Sequence, residues 1–338
     1  MRKNQAHSRS SRPAGAASRS APVSVAATLL SLPALAAIDK PECIVGAKPG
    51  GGFDLTCKLA QQSLQDLKIM KEPMRATYMP GGIGAVAMNT VVAQRAADPN
   101  VIVAFSGGSL LNIAQGKFGK WTENDVRWVA AVGTDYGSIS VGKNAPWKTL
   151  GELAAAIKAD PAKVPMGGGG TVGSQDWTKA AIFAKKIGVD PKAMRWVSFE
   201  GNGEATTALM GGHIQVMFGD VSADEAQLEA GNIRMIAVLA DKRLVGKTAG
   251  VATAKEQGFD IQWPIIRGFY TGPKVADADY KAWQDAFRKM QGTKEFANLR
   301  AQRGLQPFDL TGPELDAFVK KQVGEYRKAA EEFGLVKK

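Results

Sequence analysis

Lys48-Pro49-Gly50-Gly51-Gly52-Phe53-Asp54 is the stretch whose reading decides the fold. The apolar run before it, Cys43-Ile44-Val45-Gly46-Ala47, reads as a buried strand of a parallel sheet. After it, Leu55, Leu59, Leu64 and Leu67 recur at the spacing of one helix face. Asp54 is placed to cap that helix by accepting from a first-turn N–H. The three glycines leave backbone N–H groups uncovered, the helix dipole adds partial positive charge, and Lys48 adds a full one. Strand, glycine turn and helix start together form an anion receptor. The plain alternative is a tight left-handed turn with no ligand.

Outward from this stretch the same unit recurs. Arg75–Met79 reads as a strand running into Pro80-Gly81-Gly82-Ile83-Gly84, with a helix carrying Val86, Val91 and Val92 behind it. Val101–Phe105 opens into Ser106-Gly107-Gly108-Ser109, and Arg127–Val132 is a fourth strand. Strands alternating with helices predict a doubly wound parallel α/β sheet, whose ligands bind beyond the carboxyl ends of the strands. A second unit starts near Ile139. Thr149-Leu150-Gly151-Glu152 is a capping box, and Val164–Met166 leads into the glycines 167–170, Thr171, Val172 and Gly173, with Ser174 capping the next helix. Met194–Phe199 ends in Glu200-Gly201-Asn202-Gly203, Ile214–Phe218 runs into Gly219-Asp220, and Ile233–Leu239 closes the unit. Beyond Lys247 come a strand-like stretch, Gln262–Tyr270, and helices at about Asp277–Met290, Lys294–Gly304 and from Gly312 or Pro313 to Phe333. The last segment holds too few strands for its own core. The expectation is two lobes, 38–138 with 248–338 and 139–247, joined by two crossings.

Residues 1–36 read as a signal peptide. They hold Arg2, Lys3, Arg9, Arg12 and Arg19 and no acid, then the apolar run Ala21–Leu35 and the small-residue site Ala34-Leu35-Ala36. An N-terminal anchor is disfavoured because the run is short and broken by Pro22 and Pro33. The expected compartment is the periplasm, with cleavage near Ala36. Without the leader cations the formal charge of +11 falls to about +6. That suits a small anion and is too diffuse for nucleic acid. Cys43 and Cys57 are the two cysteines. A bridge between them closes a loop of about 15 residues and stabilises by about 3 kcal/mol in the chain-entropy model, but buried thiols pointing apart fit the spacing equally.

Catalytic and cofactor patterns fare poorly. Gly82-Ile83-Gly84-Ala85-Val86-Ala87 follows a strand as a dinucleotide fingerprint does, yet the next strand ends Val103-Ala104-Phe105-Ser106 without a ribose-binding acid. The glycines before Thr171 lack the Gly-Lys-Ser/Thr ending of a phosphate-binding loop. With His7 in the leader, His213 is the one histidine of the mature chain, and there is no metal-ligand spacing or nucleophile elbow. Glu200 and Asp220 stand at strand tips, where an acid more often orients a loop than acts as a general base. The reading is therefore of no catalytic residues, no cofactor and no metal. The glycine loops offer instead backbone N–H groups and the hydroxyls of Ser106, Ser109, Thr171 and Ser174, a set that suits carboxylates. Phe53, Trp177 and Trp263 are candidate walls.

At these residues the chain resembles the substrate-binding receptors of tripartite tricarboxylate transporters, the Bug-type periplasmic proteins. The likeness runs from about Pro41 to Phe333 and rests on three stretches: 48–54, Pro80-Gly81-Gly82-Ile83-Gly84-Ala85, and Gly201 through Asp220 with its Gly211-Gly212 turn. It implies a type II periplasmic binding protein, two α/β lobes closing over a carboxylated ligand, held by amides and waters of Gly50–Phe53 and Gly169–Ser174. Lys48 before the glycines departs from the usual first loop. The Cys43/Cys57 pair and Arg267-Gly268-Phe269-Tyr270 resemble the citrate-binding branch, which implies a tricarboxylate met by Lys48 and Arg267. The ligand set expected on this basis is Lys48, Gly50, Gly51, Gly52, Phe53, Ser106, Gly107, Ser109, Gly170, Thr171, Ser174, Gly201, Asp220 and Arg267. The expected partners are a carboxylate such as citrate and the large and small membrane subunits of the transporter, with the receptor itself monomeric. A carboxylate sensor for a membrane kinase and an exported hydrolase or lyase are the competing readings.

Overall fold

Why β1 (Glu42–Val45) and β3 (Val101–Ser106) are strands is plain from burial: every residue in both is buried, as in a sheet covered on two faces. The structure, a computed structural model, describes residues 38–332 and 334–336. The leader read at 1–36 and the cleavage point at Ala36 lie outside the described residues. In the first part of the chain α1 (Gly52–Asp66), β2 (Arg75–Tyr78), α2 (Ala85–Gln94), α3 (Gly107–Ala114) and β4 (Arg127–Gly142) complete the alternation. Then follow α4 (Leu150–Ala159), β5 (Met166–Gly169), α5 (Gln175–Lys186), β6 (Trp196–Phe199), α6 (Asn202–Met210), β7 (Val216–Asp220), α7 (Val221–Glu229) and β8 (Ile233–Leu239). The chain ends with β9 (Pro264–Thr271), α8 (Asp277–Gln291), α9 (Lys294–Gln302), β10 (Gln306–Thr311) and α10 (Pro313–Glu332).

The strands pair in the order β2-β1-β3-β9-β4-β7-β5-β6, with β8 and β10 also on β4. β4 belongs to both halves. Arg127 to Tyr136 pair with β9, and Gly137 to Val141 pair with β7. β1 is parallel to β2 and β3, and β5 to β6 and β7, as the alternation predicts. β9 lies antiparallel between β3 and β4. It returns from the second half and enters in the opposite sense, a long-range event that no local pattern encodes. β10, which the sequence reading passed over, pairs antiparallel with β4.

Helices cover both faces. On one side of the first sheet Leu59 and Leu64 of α1 pack with Trp283 and Phe287 of α8 and Phe296 of α9. On the other, Met88 and Val91 of α2 meet Leu110 of α3 and Leu315, Val319 and Val323 of α10. In the second half Leu153 and Ile157 of α4 pack with Phe183 of α5, and Ala205 and Leu209 of α6 cover the opposite face. α4 starts at the predicted capping box: Thr149 accepts from Glu152 N, and the Glu152 carboxylate accepts from Thr149 N. Ala254 and Ile261, from the segment before β9, are buried in the core of this half. Cys43 and Cys57 are bonded, with Cα atoms 5.8 Å apart, tying β1 to α1. Among the described residues no helix is long and apolar enough to cross a membrane.

Candidate functional site

Four helices begin at one place. Gly51, Gly52 and Phe53 at the start of α1, Ser106 and Gly108 at α3, Ser174 to Asp176 at α5, and Gly201 and Asn202 at α6 all line an inner cavity of about 40 Å³. The first turns of helices carry N–H groups without intrahelical acceptors and the positive ends of the helix dipoles. Their convergence makes the cavity a receptor for negative oxygen atoms. An outer recess of about 610 Å³ shares Ile83, Asn112 and Ser174 with it and adds Lys48, Gly170, Thr171, Glu200 and Glu204.

The glycines are there because backbone must approach backbone. A Cβ on Gly203 would stand 2.5 Å from the carbonyl oxygen of Pro49, so α6 can meet the first loop only as glycine. Gly50 has φ of 86°, the left-handed region. Asp54 does not cap α1 as the sequence suggested; the N-cap is Gly51, without a side-chain bond. Asp54 lies one turn too far in. It braces the loop instead, accepting from Gly50 N at 2.8 Å, Tyr78 Oη at 2.8 Å and Lys58 Nζ at 2.8 Å.

Beneath the cavity lies a buried charge cluster. Arg267 on β9 donates to Asp135 at 2.5 Å and to Asp220 at 2.7 Å, and all three are at most 3% exposed. Lys179 on α5 meets Asp176 at 2.7 Å, Asp220 at 3.0 Å and the Gly219 carbonyl at 2.5 Å. Burial opposes ionisation of Arg267, but Asp220 and Asp135 hold its pKa above the usual guanidinium value. Burial also works against Asp220, yet Lys179 and Arg267 keep its pKa below the usual carboxylate range. Asp176 is pushed up to about 6 by burial, only partly offset by Lys179. Close by, burial lifts Asp224 to about 7 although Ser138 and Ser140 each donate to it at 2.8 Å.

The structure brings most of the predicted residues together, in two tiers. Gly51, Gly52, Phe53, Ser106, Ser174, Gly201, Asp220 and Arg267 line the inner cavity; Lys48, Gly170 and Thr171 line the outer recess. Gly50, Gly107 and Ser109 line neither. Ser109 Oγ accepts from Ser106 N at 3.2 Å, and Ser106 Oγ from Gly108 N at 3.2 Å, so both hydroxyls serve the start of α3. Gly107 is packed against Tyr326 and Ile265. The two cations meant for ligand carboxylates are already paired. Arg267 is held as above, and Lys48 Nζ lies 2.8 Å from Glu204 on α6, each shifting the other's pKa towards the charged form. Of the aromatic candidates only Phe53 lines the cavity; Trp177 packs on the second core, and Trp263, also packed there, stacks with Tyr326 at 6.4 Å. Sequence reasoning missed Asn112, Gln175, Asp176 and Asn202. A signal existed for α5: Asp176, Lys179, Ala180 and Phe183 share one helical face, and charges in a buried stripe mark an internal network.

A mixed α/β fold with helix starts gathered between two sheets is shared by solved structures of periplasmic binding proteins. BugD, a periplasmic binding protein, superposes with a TM-score of 0.78 at 18% identity, over 88% of this chain and 99% of its own. MatC of Rhodopseudomonas palustris with bound malate gives 0.73 at 20% identity, over 86% and 98%. Among sequence relatives, the UPF0065 protein in the gbd 5′ region of Cupriavidus necator is 25% identical over 327 residues, 91% of this chain and 93% of its own. Residues 62–335 match the tripartite tricarboxylate transporter family receptor, and the chain belongs to that family of solute-binding receptors.

Proposed function

We propose that this receptor captures a small carboxylated solute and delivers it to the membrane subunits of a tripartite tricarboxylate transporter. The convergence of the α1, α3, α5 and α6 starts on one cavity carries the reading. One carboxylate fits the inner cavity, against the amides of Gly51 to Phe53 and the start of α5, and the rest of the ligand extends into the outer recess. Charge ranks the ligands. Citrate was the first expectation, but Lys48 and Arg267, the two cations read as meeting it, are paired to acids, and Lys117, which also lines the outer recess, donates to the Val172 carbonyl. We therefore rank dicarboxylates ahead of tricarboxylates. Malate and adipate, the ligands of two solved structures with this fold, are dicarboxylates.

Residues 38–138 with 248–338, and 139–247, are read as the two lobes that close on the ligand. The packing of 253–263 draws the second crossing towards Trp263, next to the point where β4 changes partners. Titration calorimetry with succinate, malate, adipate, citrate and acetate tests the reading. Micromolar or tighter binding of a dicarboxylate is expected, with the acid recovered unchanged after long incubation. No heat with any of them would overturn the carboxylate assignment, and a new product would make the protein an enzyme. Recovery of permease subunits with the tagged receptor from membranes supports delivery; recovery of a kinase alone supports sensing.

A further inference from the structure

Gln175, the first residue of α5, reaches across to α3. A Cβ on Gly108 would stand 3.0 Å from its Oε1, and both residues line the inner cavity. The orientation of the amide is decided by chemistry. Its Nε2 donates to both oxygens of Asp220, at 3.2 and 3.4 Å. Asp220 is a carboxylate whose pKa lies below the usual range and which can only accept, so the amide cannot be turned round. Oε1 is therefore the end turned to Gly108 of α3, beside the cavity that both residues line. It is buried and no donor among the described residues reaches it; Asn112 Oδ1, on a residue of the same wall, is likewise without one there. Gln175 is 9% and Asn112 4% exposed.

Helix starts supply donors; these two oxygens are acceptors. A ligand made only of carboxylates and methylenes has nothing to offer them, and a buried acceptor left without a donor is unfavourable. We propose that the physiological ligand is a 2-hydroxy acid, whose hydroxyl donates to Gln175 Oε1 while its carboxylate takes the helix-start amides. This rests on the carboxylate reading above and narrows it. An ammonium group in the same place is disfavoured by its neighbours. Arg267 already occupies this wall and Lys179 lies behind it, and the two acids there are engaged: Asp220 Oδ1 accepts from Lys179 and Gln175 and Oδ2 from Arg267, while Asp176 is paired with Lys179 and accepts from Gly169 N.

Matched acids that differ by the hydroxyl alone test the proposal: malate against succinate, and citrate against tricarballylate, by titration calorimetry on the full chain. In the wild type the hydroxy acid of whichever pair binds is expected to be tighter by about tenfold to a hundredfold. Gln175→Met keeps the length and removes the acceptor. It also loses the bond to Asp220, but that loss falls on both members of a pair, so the ratio isolates the hydroxyl. The ratio is expected to drop to within about threefold. A wild-type ratio near one, which needs no variant, means that the acceptors face water and overturns the proposal. So does a ratio that survives Gln175→Met, or aspartate binding more tightly than malate. Binding of none of the four acids also overturns it; only if adipate and acetate give no heat either does the carboxylate reading fall with it, an outcome distinct from equal binding of both members.

Discussion

The guanidinium of Arg267 fills the space that a side chain on Gly52 would need. The first turn of α1 and the buried charge cluster are thus in direct contact, and what happens to one is felt by the other. Gly52→Ala should push Arg267 off Asp135 and Asp220 and lower stability by about 1–3 kcal/mol, with a parallel loss of ligand affinity. Gly324, in the middle of α10, is the control: nothing lies within 4 Å of a Cβ built there. Gly324→Ala should stabilise by about 0.5–1 kcal/mol, because alanine gives up less backbone freedom in a helix. Urea unfolding of both variants checks the pair. Equal effects would show that the space around Gly52 is not limiting.

Arg267→Met should leave Asp135 and Asp220 buried without their common cation. Removing one partner of a buried pair costs about 3–5 kcal/mol, more than the pair itself contributes. The second substitution Asp220→Asn should recover part of the loss, so the double variant should be more stable than the sum of the single effects. Additive losses would argue against a shared network.

Asp224 gives the protein a pH slope. Its pKa in the fold is about 7 against an ordinary 3.8, because burial disfavours the charged form. A raised carboxyl stabilises the fold fully below about pH 4, and that stabilisation is lost as pH rises through 7. Asp224→Asn cannot lose it. Between pH 5 and 8 the wild type should therefore fall relative to the variant by an amount on the order of 3 kcal/mol. Asp176, raised to about 6, contributes in the same direction to both proteins. Parallel curves from denaturant titrations across that range would mean that Asp224 is ionised inside the fold.

Lys48 tests whether charge near the glycine loop reaches the ligand. Its partner is Glu204, both are well exposed, and surface pairs contribute little. Lys48→Ala should change dicarboxylate affinity by less than about threefold, with the difference vanishing at high salt. A loss of tenfold or more that persists in salt, larger for citrate than for succinate, would return Lys48 to the ligand and restore the tricarboxylate to first place.

What could be read in the chain was local. The stretch 48–54 marks a cavity wall because glycines between a buried strand and a helix have one common use. Thr149 and Glu152 announce their helix start because a capping box is complete within four residues. The places where reading failed depend on distant partners. β9 looks like any strand until it is inserted against β3 and β4, and the direction of insertion is a property of the whole path. Nothing near Arg267 in the chain announces Asp135 and Asp220, 132 and 47 residues away in sequence, which the fold places on either side of it. Gln175 looks like an ordinary first-turn residue until Asp220 orients its amide.

β4 carries a mechanical consequence. Its ladder passes from β9 to β7 between Tyr136 and Gly137, and at that level Gly137 N donates to the carbonyl of Trp263 on the other crossing, at 2.9 Å. Both spans between the halves are therefore fastened to each other side by side, like the two leaves of one spring. Rotation of the two proposed lobes about this line would leave the ladders above and below it whole, since each would travel with its own sheet. The work of opening would then fall on what joins the halves across the cleft: the backbone contact of Gly203 with Pro49, the pair of Lys48 with Glu204 and the buried bond of Arg267 to Asp220.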